Sequence, residues 1–279
     1  MSEHKSIITP KKSFFDVNIL EILKFKDLLF LFVKRDFISI YKQTILGPLW
    51  FFIQPILTTL IFTIVFGRFA GLPTDGIPKI LFYLSGVTCW NYFSECLIKT
   101  SSTFIDNQQI FGKVYFPRLI TPMSIVISSL IKFGIQFLLF IAVFIFYYTI
   151  NSNIHPNIFL LLIPYLILLM GILGLGLGMI ISSLTTKYRD LRFLIQFGVQ
   201  LWMYVTPIIY PLSSLDGKMK LIAVLNPMTS IIETFKFSFL GAGSFNWYYL
   251  AYTSLVSFII LILGILIFNK TEQNFMDTV

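Results

Sequence analysis

The sequence predicts an all-α polytopic membrane protein: six transmembrane helices preceded by an amphipathic interface helix, with short re-entrant or gate helices between spans 5 and 6. Three observations carry this expectation. Hydrophobic residues make up 56% of the 279 and charged residues 12%, roughly half the ~25% charge of a soluble domain. Leu49 to Gly67 contains no charged residue, and such a run has the ~20-residue length that a helix needs to cross a ~30 Å hydrocarbon core. Further apolar stretches follow until the chain is nearly used up, which leaves no room for a large soluble domain.

Residues 1–16 are polar and are expected to be a mobile cytoplasmic N-terminus. They lack an apolar core and a small-residue cleavage site, so the first span is expected to act as the insertion signal. Residues 17–47 form the interface helix and its turn. Asn18 and Glu21 have capping-box spacing, and Val17 and Ile22 suit a hydrophobic staple. On a helical wheel Glu21, Lys24, Asp27, Lys34 and Arg35 share an arc of about 140°. Ile22, Phe25, Leu29, Phe30, Phe32 and Val33 lie opposite. Lys26 breaks the pattern, but its stem can snorkel. This is the pattern of a helix lying in the membrane interface; the competing expectation is a solvated helix packed on a soluble domain. Gly47 suits a turn and Pro48 a first helical position, so the chain is expected to run along the surface, turn and dive. Gln54-Pro55 then falls inside the span, where proline frees a carbonyl and can kink the helix.

Residues 48–270 hold the six spans, at about 49–66, 80–100, 119–148, 158–186, 193–210 and 247–268, and 271–279 form a short cytoplasmic tail. Span 2 is the weakest, because Ser85, Thr88, Asn91, Ser94 and Glu95 interrupt it. Gly71 to Pro78 is turn chemistry, and Lys187 to Arg192 a tight charged loop. Lys5, Lys11, Lys12, Lys24, Lys26, Lys34, Arg35, Lys42, Lys99, Lys113, Arg118, Lys187, Arg189, Arg192 and Lys270 fall on one side of this arrangement. Only Arg68, Lys79, Lys218, Lys220 and Lys236 fall on the other. The excess of basic residues marks the cytoplasmic side, so both termini are expected there. The net charge of +8 is thus a matter of topology and does not point to nucleic acid.

The sequence shows no catalytic set. His4 and His155 stand alone, so no metal site is expected, and there is no G-x-x-x-x-G-K-[ST] phosphate loop. Gly171, Gly174, Gly176 and Gly178 lie within an uncharged span and are expected to serve close helix packing, Gly174 and Gly178 at G-x-x-x-G spacing. Cys89 and Cys96 are expected to act as small apolar residues. Glu95 and Lys132 are the charges that fall well within spans. Glu95 can pair with Lys99 one turn on, or with Lys132, or face an aqueous path. Trp90, Tyr92, Trp202 and Tyr204 lie away from the span ends or beside polar residues. Rings with polar edges suit sugar stacking, so these residues, with Gln54, Glu95 and Lys132, are channel candidates; the alternative is lipid- or core-facing packing. In the loop from Asp106 to Pro122, Lys113 and Arg118 bracket Val114, Tyr115, Phe116 and Pro117. An exposed aromatic pair there suggests a docking knob; the alternative is that Phe116 dips into lipid.

Arg35-Asp36, Tyr41-Lys42-Gln43-Thr44, Leu46-Gly47, Trp50 and Gln54-Pro55 together resemble the opening of bacterial polysaccharide-export ABC permeases of type 2, which handle O-antigen, capsule and teichoic acid. Lys113–Arg118 resembles their cytoplasmic loop between spans 2 and 3. Tyr188-Arg189-Asp190, Thr206-Pro207-Ile208 and Asn226-Pro227 follow in the same order. Lys236 departs from the arginine expected after the Asn-Pro pair. The likeness covers about residues 30–270, and the O-antigen branch looks closest. It implies a six-span permease of the bacterial inner membrane that forms a homodimer, binds two copies of a separate ATPase and exports a lipid-linked polysaccharide among membrane lipids. It implies no cofactor in this chain, with ATP and Mg on the partner ATPase. Lys113–Arg118 would then be the coupling element, Arg35, Asp36, Tyr41, Lys42, Gly47 and Pro48 the interface helix and turn, and Pro211–Asn246, with Asn226 and Pro227, the external gate. The competing functions are a same-fold exporter of a drug, haem or small lipid, and a membrane-embedded glycosyl- or acyltransferase. The latter needs a surface acid or histidine constellation, which this sequence lacks.

Overall fold

The computed structural model describes residues 24–42, 45–114, 116–150, 154–188 and 190–275, all-helical among those residues. The expected cap at Asn18 and Glu21, the N-terminus 1–16, Tyr115, Arg189 and the side chain of Tyr41 lie outside the described residues.

Helix α1 (Lys26–Tyr41) packs along the long α6 (Ile120–Ile150). Phe32 and Val33 are buried there, and the Ser128 hydroxyl reaches the Val33 carbonyl at 3.5 Å. The apolar face divides: Phe32 and Val33 turn inward, while Phe30 stays exposed, as does Leu31 within the charged arc. The expected turn is present. Gly47 has φ +50°, a region that costs glycine nothing, and Pro48 stands in the first turn of the 3-10 segment Gly47–Leu49. The first span continues as α2 (Trp50–Phe62) and a π-helical stretch (Thr63–Phe69). Pro55 lies inside α2. The Lys79 ammonium donates to the Gly67 carbonyl at the end of the π stretch, where a cation opposes the helix dipole.

Helix α3 (Lys79–Ser101) is the axis of the bundle. Leu81 through Trp90 are all buried, and α2, α6 and α7 (Ile163–Thr185) pack around it. Its polar interruptions have a physical reason: this helix meets protein rather than lipid. Its 23 residues reach about 35 Å. The short helices α4 (Thr103–Asp106) and α5 (Gln108–Phe111) follow. After α7 come α8 (Leu191–Val205), α9 (Gly217–Leu225), α10 (Pro227–Leu240) and α11 (Trp247–Phe275). Among the described residues, four helical stretches, Gly47–Phe69, Ile120–Ile150, Ile158–Thr185 and Trp247–Gln273, are long and apolar enough to cross a membrane.

The glycines of α7 serve contact, as expected. A Cβ on Gly174 would meet Cys96 Cβ at 2.7 Å, and one on Gly178 would meet Thr100 Cβ at 2.5 Å, so this face seats α3. Gly176 faces α11: a Cβ on Gly264 would lie 2.6 Å from the Gly176 carbonyl oxygen. Cys89 and Cys96 are buried free thiols.

The connections segregate to two ends. At the Phe104 end, Phe32, Phe104, Phe111, Phe116, Met179 and Phe268 form one apolar cluster. At the Asn226 end, Asp75 accepts a hydrogen bond from Ser213 at 2.7 Å, and the His155 backbone N–H donates to the Leu240 carbonyl at 3.5 Å.

Candidate functional site

The segment 102–118 folds into two single-turn helices because apolar residues recur at Phe104, Phe111 and Phe116. Phe104 stacks on Phe268 of α11 at 4.5 Å, Phe111 meets Phe116 at 5.8 Å, and Phe116 meets Phe32 of α1 edge-on at 5.6 Å. Phe116 is 4% exposed. The expectation of an outward aromatic knob at Phe116 is therefore corrected: Phe32 of α1 and Phe111 pack against it, and a loop's own sequence cannot show what a distant helix covers. Arg118 is also turned inward. Its Nη1 donates to the Glu272 carbonyl at 2.9 Å, its Nε stands 3.9 Å from Glu272 Oε1, and its guanidinium lies over Phe111 at 5.3 Å. Pro117 is half-buried. Lys113 and Val114 are outward, Val114 at 59% exposure. Of these residues, the tip at Lys113 and Val114 is the part of the loop open to its surroundings, and Phe116 is not.

At the base of α3 both pairings of Glu95 occur together. Glu95 Oε1 accepts from Lys99 at 2.6 Å and also from Lys132 of α6. Lys132 Nζ lies 5.7 Å from the Phe51 ring centroid. One turn along, Asn91 donates to Gln136 at 3.2 Å. The two helices are thus joined by a polar ladder in which one carboxylate serves two ammonium groups. On α1, Arg35 and Asp36 form a close pair at 2.8 Å. Lys42 is exposed.

The aromatic candidates divide. Trp90 and Tyr92 are buried. Trp90 meets Trp202 at 6.1 Å, Phe93 meets Trp202 at 5.3 Å, and Tyr92 packs on Phe133 at 5.2 Å. All three face the interior of the subunit. Gln54 and Tyr204 face outward. So do Gln196 and Gln200, which the sequence reading missed although 196, 200 and 204 repeat at one helical turn.

At the Asn226 end two separate motifs meet. Asn226 caps α10 by accepting from the Met228 N–H at 3.1 Å, and its amide donates to the Thr206 hydroxyl at 2.8 Å. Pro227 opens the helix, where its missing N–H costs nothing. The buried charges Glu233 and Lys236 lie two turns on. The sequence reading missed them as a site; their i,i+3 spacing on a helix was the available signal.

A family model described as ABC-2 type transporter matches residues 27–240. The chain belongs to this family. Curated relatives span nearly all of this ABC-2 chain. An O-antigen export system permease protein RfbA of Klebsiella pneumoniae is 30% identical over 255 residues, covering 90% of the chain and 94% of the relative. The protein of the same name from Myxococcus xanthus is 25% identical, covering 94% and 98%. The capsule polysaccharide export inner-membrane protein CtrC of Neisseria meningitidis is 22% identical, covering 86% and 89%. The chain is thus an ABC-2 permease homologous to O-antigen and capsule polysaccharide export permeases.

Proposed function

We propose that this chain is the membrane subunit of an ATP-driven exporter that moves a lipid-linked, O-antigen-like polysaccharide across the bacterial inner membrane. It acts as a six-span homodimer with two copies of a separate ATPase, which bind ATP and Mg, and both its termini are cytoplasmic. The observation that carries the substrate is the likeness to O-antigen export permeases over nine-tenths of the chain. The sequence has no phosphate loop of the G-x-x-x-x-G-K-[ST] kind, so the reading assigns ATP hydrolysis to a partner. That partner engages the exposed tip at Lys113 and Val114. Behind the tip, Phe116 and Arg118 carry the push into α1 and α11. Matching of the basic loops to the Phe104 end supports the orientation.

The test has two readouts. Cells depleted of the chain should accumulate a lipid-linked glycan at the inner membrane, and the chain purified in mild detergent should bring down an ATPase. Depletion with no glycan accumulation and a changed drug or lipid efflux would replace the substrate assignment.

A further inference from the structure

Lys236 lies on the third turn of α10 and is 1% exposed. An ammonium so placed is costly unless its protons are met. Three elements meet it. Its Nζ donates to the Pro207 carbonyl just beyond α8 at 2.7 Å. It sits 3.6 Å from the centroid of Phe82 on α3. Glu233 Oε1, on its own helix, is 4.0 Å away. Glu233 is held in turn from the α10–α11 loop, its Oε2 accepting from the Ser244 N–H at 3.1 Å. A second bond runs parallel, from Asn226 to Thr206. The turn these bonds grip is seated on α3: Ile208 Cγ2 lies 2.9 Å from where a Cβ on Gly86 would stand.

We infer that Lys236 is the pin that fastens the α9–α10 hairpin to the end of α8 and onto α3, so that the hairpin and the Thr206–Ile208 turn move as one body during export. Carbonyl, ring face and carboxylate come from three different chain segments, and one ammonium answers all three. Glu233 offsets the charge; the bond to Pro207 does the fastening. The inference rests on the proposed function only for which side of the membrane the hairpin faces.

A native thiol reports on it. Cys89 is buried on α3 two turns from Phe82, and the Ile208 turn lies over the Gly86 position between them. In a Cys96→Ser background, an impermeant maleimide is applied to right-side-out and to inverted membrane vesicles at matched protein level. Cys89 should be protected in the parent chain and in Glu233→Gln. The double variant Glu233→Gln/Lys236→Met, which leaves no unpaired carboxylate, should label at least five-fold faster. Thr206→Val, which removes the parallel bond and the Thr206 hydroxyl's bond to the Trp202 carbonyl within α8 but leaves the Lys236–Pro207 bond in place, should label faster by a smaller factor. Equally fast labelling of Glu233→Gln and the double variant would overturn the pin in favour of the charge pair, and protection of the double variant would overturn it outright. A rise seen only in inverted vesicles keeps the pin and reverses the orientation.

Discussion

Val114 and Phe116 stand two positions apart in one loop and face opposite ways. Truncating Phe116 opens a cavity against Phe32 and Phe111, which for a buried phenylalanine costs about 3–5 kcal/mol. Phe116→Ala should therefore lower the melting temperature of the detergent-solubilised chain. Val114→Asp should leave that temperature unchanged and reduce the ATPase recovered per permease. The reverse pattern, with Phe116→Ala thermally neutral, would mean that the aromatic does not hold the loop. At Glu95 the geometry predicts an asymmetry. Lys132→Met leaves Glu95 paired with Lys99, whereas Glu95→Gln leaves two ammonium groups facing each other. Removing one partner of a buried pair costs about 3–5 kcal/mol, and a part-exposed site less. Glu95→Gln should thus be the more damaging single change, and Glu95→Gln/Lys132→Met should recover part of the loss in membrane level and export. Strictly additive losses would show that the pair contributes no coupling.

At the scale of elements, α7 and α11 approach through bare backbone at Gly176 and Gly264. Gly264→Leu must push the two helices apart, and overpacking of this kind costs about 1–3 kcal/mol or more. It should reduce the folded fraction in the membrane, measured by size-exclusion profile. Gly134→Ala on α6, with open space around the added carbon, should behave as the parent; equal effects of the two changes would deny the crossing. The sequence made some elements legible and not others, for reasons that can be named. Gly47-Pro48 and the Gly174–Gly178 spacing are local: each acts through its own backbone or its own helix face. By hydropathy α3 ranks as the weakest of the expected spans, because hydropathy measures fitness for lipid, and a helix sheathed by neighbours need not be apolar. The inward turn of Phe116 and the fastening of Lys236 to Pro207 depend on segments far away in sequence, so no window of residues could reveal them.

For the whole molecule, the proposed six-span arrangement requires that α8 crosses. Its 15 residues extend only about 22 Å, less than the ~30 Å hydrocarbon thickness. The shortfall of roughly 8 Å is within the reach of the non-helical residues Thr206–Tyr210, since extended chain advances ~3.3 Å per residue. Irregular backbone at membrane depth is tolerated only where protein covers it and meets its polar groups. Thr206, Ile208 and Ile209 are buried, and Lys236 supplies a donor to the Pro207 carbonyl. In the proposed six-span arrangement α8 and its turn cross together, and the two flanking loops lie on opposite sides. Lys187 and Lys218 are both exposed and flank the crossing. In a background carrying Cys89→Ser and Cys96→Ser, Lys218→Cys should react with an impermeant maleimide on intact spheroplasts, whereas Lys187→Cys should react only after permeabilisation. Reaction of both without permeabilisation, or of neither, would mean that α8 does not cross; the chain would then have an odd number of spans, and its termini would lie on opposite sides of the membrane.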